Sequence, residues 1–541
     1  MGRLALGLDS STQSLSAVVV NIDTGDKSFE HSLDYKQDAR FDNFAIGQDY
    51  IIPPRVEGEA DQPPEMFWAS LDALFYDMKA AGVPLDEIVV INDSGQQHGH
   101  VYLNRHAESI FAQLKRKDSG EKNLLNLLDG SLAYLSAPIW MTSNTVRQTE
   151  FVRREVGGKD KMIRLSGSDA PLRFTGTIMR RVAEQFPEAY QETENIQLIS
   201  SLIPAVLTGN SKVPIDYGNA CGMSLMSYRT KDWSPELLES TSKDLPGGLV
   251  AFRKKLPDLV PPDTIVGKIG RYFVEKYGFD FECKIAVGSG DNPQAKVLVE
   301  GDLLSLGTSF VNMVSTDGET LDMEGLANGM YDGVGRPFMF GCRTNGAMVW
   351  DAVRALYGLG KEDYAPAEEA LGQVIPASAM VFWQPKNESF PPSGSFDLTR
   401  ITHHTKPTLA SDYAGIIETS LAAVYLHSEN FTKKSEEPLY ITGGVTDSAE
   451  IMKRVAGIWN REIVPMEKGG PALGAAVAGA YAYCKSQGEP FDVEEFSQGI
   501  LKRRMPIPPK SEDVEAYHGS GKYIEKFRSE EAKIIAEHPV E

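Results

Sequence analysis

At 541 residues the chain is too long for a single core, so two or three domains are expected. The formal net charge of −21, with no run of clustered Lys and Arg, excludes a role in gripping nucleic acid or an anionic membrane. Four scattered cysteines (Cys221, Cys283, Cys342, Cys484) form no CxxC pair, which excludes a disulfide frame or zinc ribbon and points to a reducing compartment. In chain order, residues 3–8 and Leu15–Ile22 read as two strands joined by the hydroxyl-rich turn Asp9-Ser10-Ser11-Thr12-Gln13-Ser14, with a third strand over Ser28–Tyr35. Pro63-Pro64 opens a helix whose stripe is Met66, Phe67, Leu71, Leu74, Phe75 and Met78. Ile88-Val89-Val90-Ile91 is a short buried strand running into Ser94-Gly95-Gln96-Gln97-His98-Gly99, and this alternation argues for an α/β layer structure.

The second half repeats the theme. Lys284–Val287 leads into Gly288-Ser289-Gly290-Asp291-Asn292-Pro293, and Leu303–Leu306 leads into Gly307-Thr308-Ser309 before Phe310–Val314 runs out again. Strand, Ser/Thr turn, strand thus occurs twice, as in a chain built of two related domains. Leu439–Thr442 then runs into Gly443-Gly444-Val445-Thr446-Asp447-Ser448 and a helix carrying Ile451, Val455, Ile458 and Trp459. Pro471 opens a helix of small residues, Ala472 to Ala480, suited to close packing on a neighbour. Prolines 257, 261 and 262 place the domain boundary between Leu256 and Gly270, and the charged residues beyond about 510 read as a peripheral helix or tail with little to bury. The start becomes charged at Arg3, too early for a signal peptide, and no apolar run approaches the ~20 residues of a membrane span, so a cytoplasmic protein is expected.

Several turns carry residues suited to phosphate and sugar chemistry. Hydroxyls and backbone N–H groups at Ser11, Thr12, Gly307, Thr308 and Ser309 can hydrogen-bond phosphate oxygens, and Asp9 beside them requires a cation between itself and a phosphate. The alternative for each turn is an ordinary polar hairpin tip. Gly443-Gly444, between a strand and a helix, lets a flat ring or a phosphate approach, or is simply a glycine-rich connection. Asp291, at a strand end beside Gly290, can accept a proton from an attacking hydroxyl, or cap a helix. His98, in a glycine-flanked loop, can bond a sugar hydroxyl or be structural, and Arg173 can bind a hydroxyl or carbonyl oxygen or form a surface ion pair.

Taken in order, these segments resemble the FGGY carbohydrate kinases, closest to the xylulokinases of the animal-type branch. The resemblance runs through Asp9-Ser10-Ser11-Thr12-Gln13, Ser94 to Gly99, Pro138-Ile139-Trp140-Met141, Arg173-Phe174-Thr175-Gly176, Pro214-Ile215-Asp216-Tyr217, Gly290 to Pro293, Ser305 to Ser309 and Gly443-Gly444, which is nearly the whole chain. It implies an α/β fold of two actin-like (ribonuclease H-like) domains with an interdomain cleft: 1–266 binding sugar, 267–510 binding ATP, and 511–541 as the peripheral segment. It further implies ATP-dependent phosphorylation of a small ketose, D-xylulose to D-xylulose 5-phosphate, with Asp291 as catalytic base. His98, Arg173, Asp291 and Asn292 would bind the sugar and Asp9 would serve Mg2+. Ser11, Thr12, Gly307, Thr308, Ser309, Gly443, Gly444 and Ser448 would contact the nucleotide. The expected partners are the sugar and ATP, with the protein a monomer or homodimer. Two positions depart from the family pattern: Thr142 stands where an acidic residue usually touches the sugar, and Ser448 where Asn usually ends the Gly-Gly motif. The alternatives are a kinase for ribulose, a deoxy-ketose or glycerol, a non-catalytic sugar or nucleotide sensor, and an actin-like polymer.

Overall fold

The computed structural model describes residues 2–117, 119–401, 407–432 and 437–540; Met1 and Glu541, at the outer ends of the expected first and last segments, lie outside the described residues. The described chain divides into two compact units, one of residues 1–300, 329–337 and 469–500, the other of residues 301–328, 338–468 and 501–541.

The first unit is built on a mixed sheet of β1 (Leu4–Ser10), β2 (Ser14–Asn21), β3 (Lys27–Asp34), β4 (Ile88–Gly95), β5 (Ile265–Lys268), β6 (Lys284–Ala286) and β7 (Ser289–Gly290). Their order is β5-β6-β4-β1-β2-β3, with β7 also on β4. β1 and β2 form the expected antiparallel hairpin across the hydroxyl turn. β1, β6 and β7 all run parallel to β4. β1 is nearly all apolar or small because it is central, with strands on both edges and elements on both faces. One face is covered by helix Pro64–Ala80, whose proline sits in the first turn and whose Met66, Phe67, Leu71, Leu74, Phe75 and Met78 are all buried in the unit's main core. On the other face lies helix Gly470–Gln487, which arrives from the far end of the chain. Its small residues let it approach very closely: a Cβ at Gly7 would lie 2.0 Å from the Ala472 carbonyl oxygen, and one at Gly474 would lie 1.9 Å from that of Gln294.

The second unit repeats the plan. β8 (Leu303–Leu306), β9 (Phe310–Ser315), β10 (Pro337–Arg343), β11 (Leu439–Thr442) and β12 (Ile463–Pro465) lie in the order β10-β9-β8-β11-β12. β8 and β9 are an antiparallel hairpin, and β8 runs parallel to β11, as β1 does to β4. A separate core, with Trp350, Ile417, Leu421, Ile441 and Val455, fills this unit.

Two sequence expectations differ from what is observed. The first compact unit continues past the proline-rich segment around 256–270 to Glu300, because β6 and β7 complete its sheet alongside β4. The final segment, expected to have little to bury, forms helices Ser511–Tyr517 and Tyr523–Glu537, whose Tyr517, Tyr523, Ile524, Phe527 and Ile534 join the second unit's core. Charge on the outward positions of these helices masks the apolar stripe at helical spacing. Among the described residues no helix is long and apolar enough to cross a membrane.

Candidate active site

In the first unit, parallel pairing brings three chemistry-bearing segments to one end of the sheet. Asp9 near the end of β1 is paired in register with Ser94 of β4, and Gly290 at the end of β7 is paired with Gly95. Side chains leaving the C-terminal ends of neighbouring parallel strands converge, the usual place for a ligand in such sheets. The segments that supply Asp9, His98 and Asp291 therefore share this end.

Asp291 begins helix Asp291–Val297, with Gly290 in the capping position, so the helix-cap alternative is right about the place and off by one residue. Its Oδ1 accepts the Asn292 backbone N–H at 2.8 Å and the Asn292 side-chain amide at 2.9 Å. Burial pushes the carboxyl up to about 6, although N–H groups of Asn292 and Gln97 favour its ionised form. It is thus a carboxylate near neutral pH and a stronger base than a solvated one.

His98 is in the left-handed backbone region at φ 68°, a conformation that costs energy in a non-glycine residue. Its Nδ1 lies 2.8 Å from the Gly222 carbonyl oxygen and therefore carries the proton, leaving Nε2 as an acceptor. The ring stacks on Phe174 at 4.4 Å, and the Thr175 hydroxyl donates to the His98 carbonyl oxygen at 3.1 Å. Burial, helped by the nearby positive charge of Arg173, pushes its pKa down to about 3, so the imidazole is neutral. The 173–175 segment thus fixes His98 from one side while bringing Arg173 alongside.

Asp9 Oδ1 accepts the Ser94 hydroxyl at 2.7 Å. In the adjoining turn the hydroxyls are engaged within the protein: Ser11 donates to the Ser14 carbonyl oxygen at 2.9 Å, and Thr12 donates to Gln96 at 3.0 Å while accepting from the Trp140 indole at 2.8 Å. What this turn offers a ligand is backbone rather than free hydroxyls. Among the described residues no group of three or more His, Cys, Asp or Glu gathers to hold a metal. A single partly exposed carboxylate at position 9 suits Mg2+, which keeps several waters and takes other ligands from nucleotide phosphates. Thr142 is buried, and its hydroxyl donates to the Ala60 carbonyl oxygen at 3.1 Å.

In the second unit the two glycine turns leave the same sheet end. Ser305 of β8 pairs in register with Thr442 of β11, so Gly307-Thr308-Ser309 and Gly443-Gly444 follow side by side. Gly443, at φ 122°, packs so close to β8 that a Cβ there would lie 2.2 Å from the Leu306 carbonyl oxygen; beside Gly444 the space is open. Thr308 is exposed, and Ser309 donates to the Thr344 carbonyl oxygen at 3.2 Å.

A short turn, Gly444–Asp447, separates the glycine pair from helix Ala449–Trp459, which is capped by Ser448 rather than begun by the glycines. The Ser448 hydroxyl and the Glu450 backbone N–H (2.9 Å) both donate to Glu368. Buried Arg454, on the same helix, donates to the carbonyl oxygens of Leu371 (3.1 Å) and Val374 (2.9 Å), which ties it to helix Tyr364–Gly372, the bearer of Glu368, and to the loop that follows.

The structure also adds residues that sequence reasoning missed. Buried Asp216 accepts the Ser289 hydroxyl at 2.7 Å and so fastens the 216–219 turn to the strand before Asp291. Asn219 and Gln97, both beside Gly290, and Glu368, which accepts from Ser448, also lie against the candidate positions; Gln97 falls inside the recognised segment Ser94 to Gly99 but drew no role there, and no local pattern marks Asn219 or Glu368.

Two family models match consecutive stretches that together span more than half of the chain. Residues 127–297 match the N-terminal domain and residues 303–483 the C-terminal domain of the FGGY family of carbohydrate kinases. The chain belongs to the FGGY family of carbohydrate kinases. This FGGY chain is 35% identical over 322 residues to a protein named xylulose kinase from Saccharomyces cerevisiae, a match over 58% of this chain and 51% of that one. The chain thus spans about half the length of that relative. Over 526 residues it is 27% identical to xylulose kinase 2 of Arabidopsis thaliana, covering 92% and 91% of the two chains. A solved structure of xylulose kinase from Rhodospirillum rubrum superposes with a TM-score of 0.80 at 15% identity, over 98% of this chain and 99% of that one, which establishes the shared fold.

Proposed function

We propose that the protein transfers the γ-phosphoryl group of ATP to the terminal hydroxyl of a small ketose, D-xylulose, giving D-xylulose 5-phosphate and ADP. The observation that carries this reading is Asp291: a partly buried carboxylate whose pKa is pushed up to about 6, at the same sheet end as the Asp9 and His98 segments. The names of the yeast and plant relatives support the choice of sugar.

In this reading the sugar lies against His98, Arg173, Asp291 and Asn292. Neutral His98 accepts a sugar hydroxyl at Nε2, and Arg173 donates to an oxygen. Asn292, with its amide on the Asp291 carboxylate, holds that carboxylate in one orientation. Asp291 accepts the proton of the attacking hydroxyl as its oxygen bonds to the γ-phosphorus and the bond to the ADP oxygen breaks. Backbone groups at residues 11–12 and 307–309 bind phosphates, and Gly443, Gly444 and Ser448 take the nucleoside end. Mg2+ held through Asp9 would neutralise phosphate charge. A cytoplasmic location belongs to the same reading.

A coupled ADP-release assay over a panel of ketoses and polyols tests this. The expected result is the highest kcat/KM with D-xylulose; preference for glycerol or ribulose would reassign the substrate. The pH dependence follows from the raised pKa of Asp291. Because its base form is lost as pH falls through about 6, kcat/KM for sugar is expected to drop about tenfold per unit below that value and to level off above it. A profile flat to pH 4 would remove Asp291 from the role.

A further inference from the structure

Two adjacent glutamines follow the end of β4, and they are treated very differently. Gln96 is fully engaged: its Oε1 accepts from Thr12 at 3.0 Å, and its Nε2 donates to Gln62 Oε1 at 2.7 Å. Gln97 is only 5% exposed, yet among the described residues neither its Nε2 nor its Oε1 has a hydrogen-bond partner. Both halves of one buried carboxamide left unpaired is uncommon and costly in a folded protein.

The location of this amide explains why it is kept. A Cβ at Gly290 would lie 2.0 Å from Gln97 Oε1, and a Cβ at Gly222 would lie 3.0 Å from Gln97 Nε2 and 2.7 Å from His98 Nδ1. The carboxamide therefore reaches from the residue preceding Asp291 to the residue whose carbonyl oxygen fixes His98. The Gln97 backbone N–H meanwhile favours the ionised Asp291 carboxylate. Asn219, 1% exposed, adds a further unpaired acceptor, its Oδ1, 3.1 Å from the same Gly290 Cβ position.

We propose that the Gln97 carboxamide is a sugar-binding group that reads a neighbouring pair of oxygens on the ketose and so sets which epimer is accepted. This rests on the ketose-kinase reading above. An amide presents one donor end and one acceptor end, which matches a hydroxyl that donates next to an oxygen that accepts; a carboxylate or an ammonium reads one polarity only. Turning the amide toward the sugar breaks no hydrogen bond and makes two. The free protein thus carries an unsatisfied group that its substrate satisfies.

Gln97→Met, close in volume and apolar, separates this role from a structural one. The sugar KM is expected to rise about tenfold or more, as for a site that loses a hydrogen bond to its substrate. The ATP KM is expected to stay unchanged, and the preference for D-xylulose over its epimer D-ribulose to collapse toward unity. The thermal midpoint without sugar should hold or rise, since two unpaired polar atoms leave the interior. A second variant, Gln97→Asn, keeps the amide but withdraws it by one methylene, and should likewise raise sugar KM alone. Sugar KM and epimer preference both unchanged in the two variants would overturn the proposal. A wild-type protein that phosphorylates no ketose would instead overturn the kinase reading itself.

Discussion

Replacing Asp291 with Asn is expected to lower kcat by between about 10²- and 10⁴-fold, the range over which a positioned general base contributes. The substitution keeps the shape of the side chain at the start of helix Asp291–Val297 but removes the group that can take a proton. Because the nucleotide is assigned to other residues, the backbone at 11–12 and 307–309 and Gly443 and Gly444, ATP affinity measured by calorimetry should be unchanged. The combination is what distinguishes loss of a base from loss of fold. Turnover close to wild type would show that another group accepts the proton, or that none is needed.

Gly474→Ala is expected to destabilise the protein by about 3 kcal/mol, at the upper end of what overpacking costs. Two effects oppose one another. Alanine is the better helix former, by about 1 kcal/mol in a helix interior. Against this, the new Cβ would lie 1.9 Å from the Gln294 carbonyl oxygen and 2.6 Å from its carbonyl carbon, which are backbone atoms that no rotamer change can move aside. The clash wins. Relief requires helix Gly470–Gln487 to move off helix Asp291–Val297, whose first residue is Asp291, so kcat should fall along with the thermal midpoint. A variant at least as stable as wild type would mean that the contact between these helices is looser than described.

Local pattern made much of this fold legible. The hairpins β1–β2 and β8–β9 announce themselves as apolar runs meeting at hydroxyl-rich turns, and the buried stripe of helix Pro64–Ala80 follows its Pro63-Pro64 start. What was not legible depends on residues far apart in sequence. That residues 469–500 return to the first unit cannot be read from their composition, which says only that the helix can pack closely. The extension of the first unit to Glu300 likewise depends on β6 and β7 finding β4.

The candidate site divides the same way. Asp9, His98 and Asp291 sit at strand ends, where a turn motif can be recognised. The partners that tune them came only from the fold: the Gly222 carbonyl oxygen that sets the His98 tautomer, the Phe174 ring stacked on it, and the Ser94 hydroxyl on Asp9. The hydroxyls of Ser11 and Thr12 looked free for phosphate in the sequence, but tertiary contacts engage both. Ser448, in place of the Asn usual in the family, caps its helix and donates to Glu368, a residue 80 positions away.

Incubating the protein with ATP, Mg2+ and D-xylulose, and identifying the product by 31P and 13C NMR, tests the central claim most directly. The expected product is a phosphate monoester on the terminal C5 oxygen, formed in equal amount to ADP. Release of ADP with no sugar phosphate, from D-xylulose or any other ketose, would contradict it.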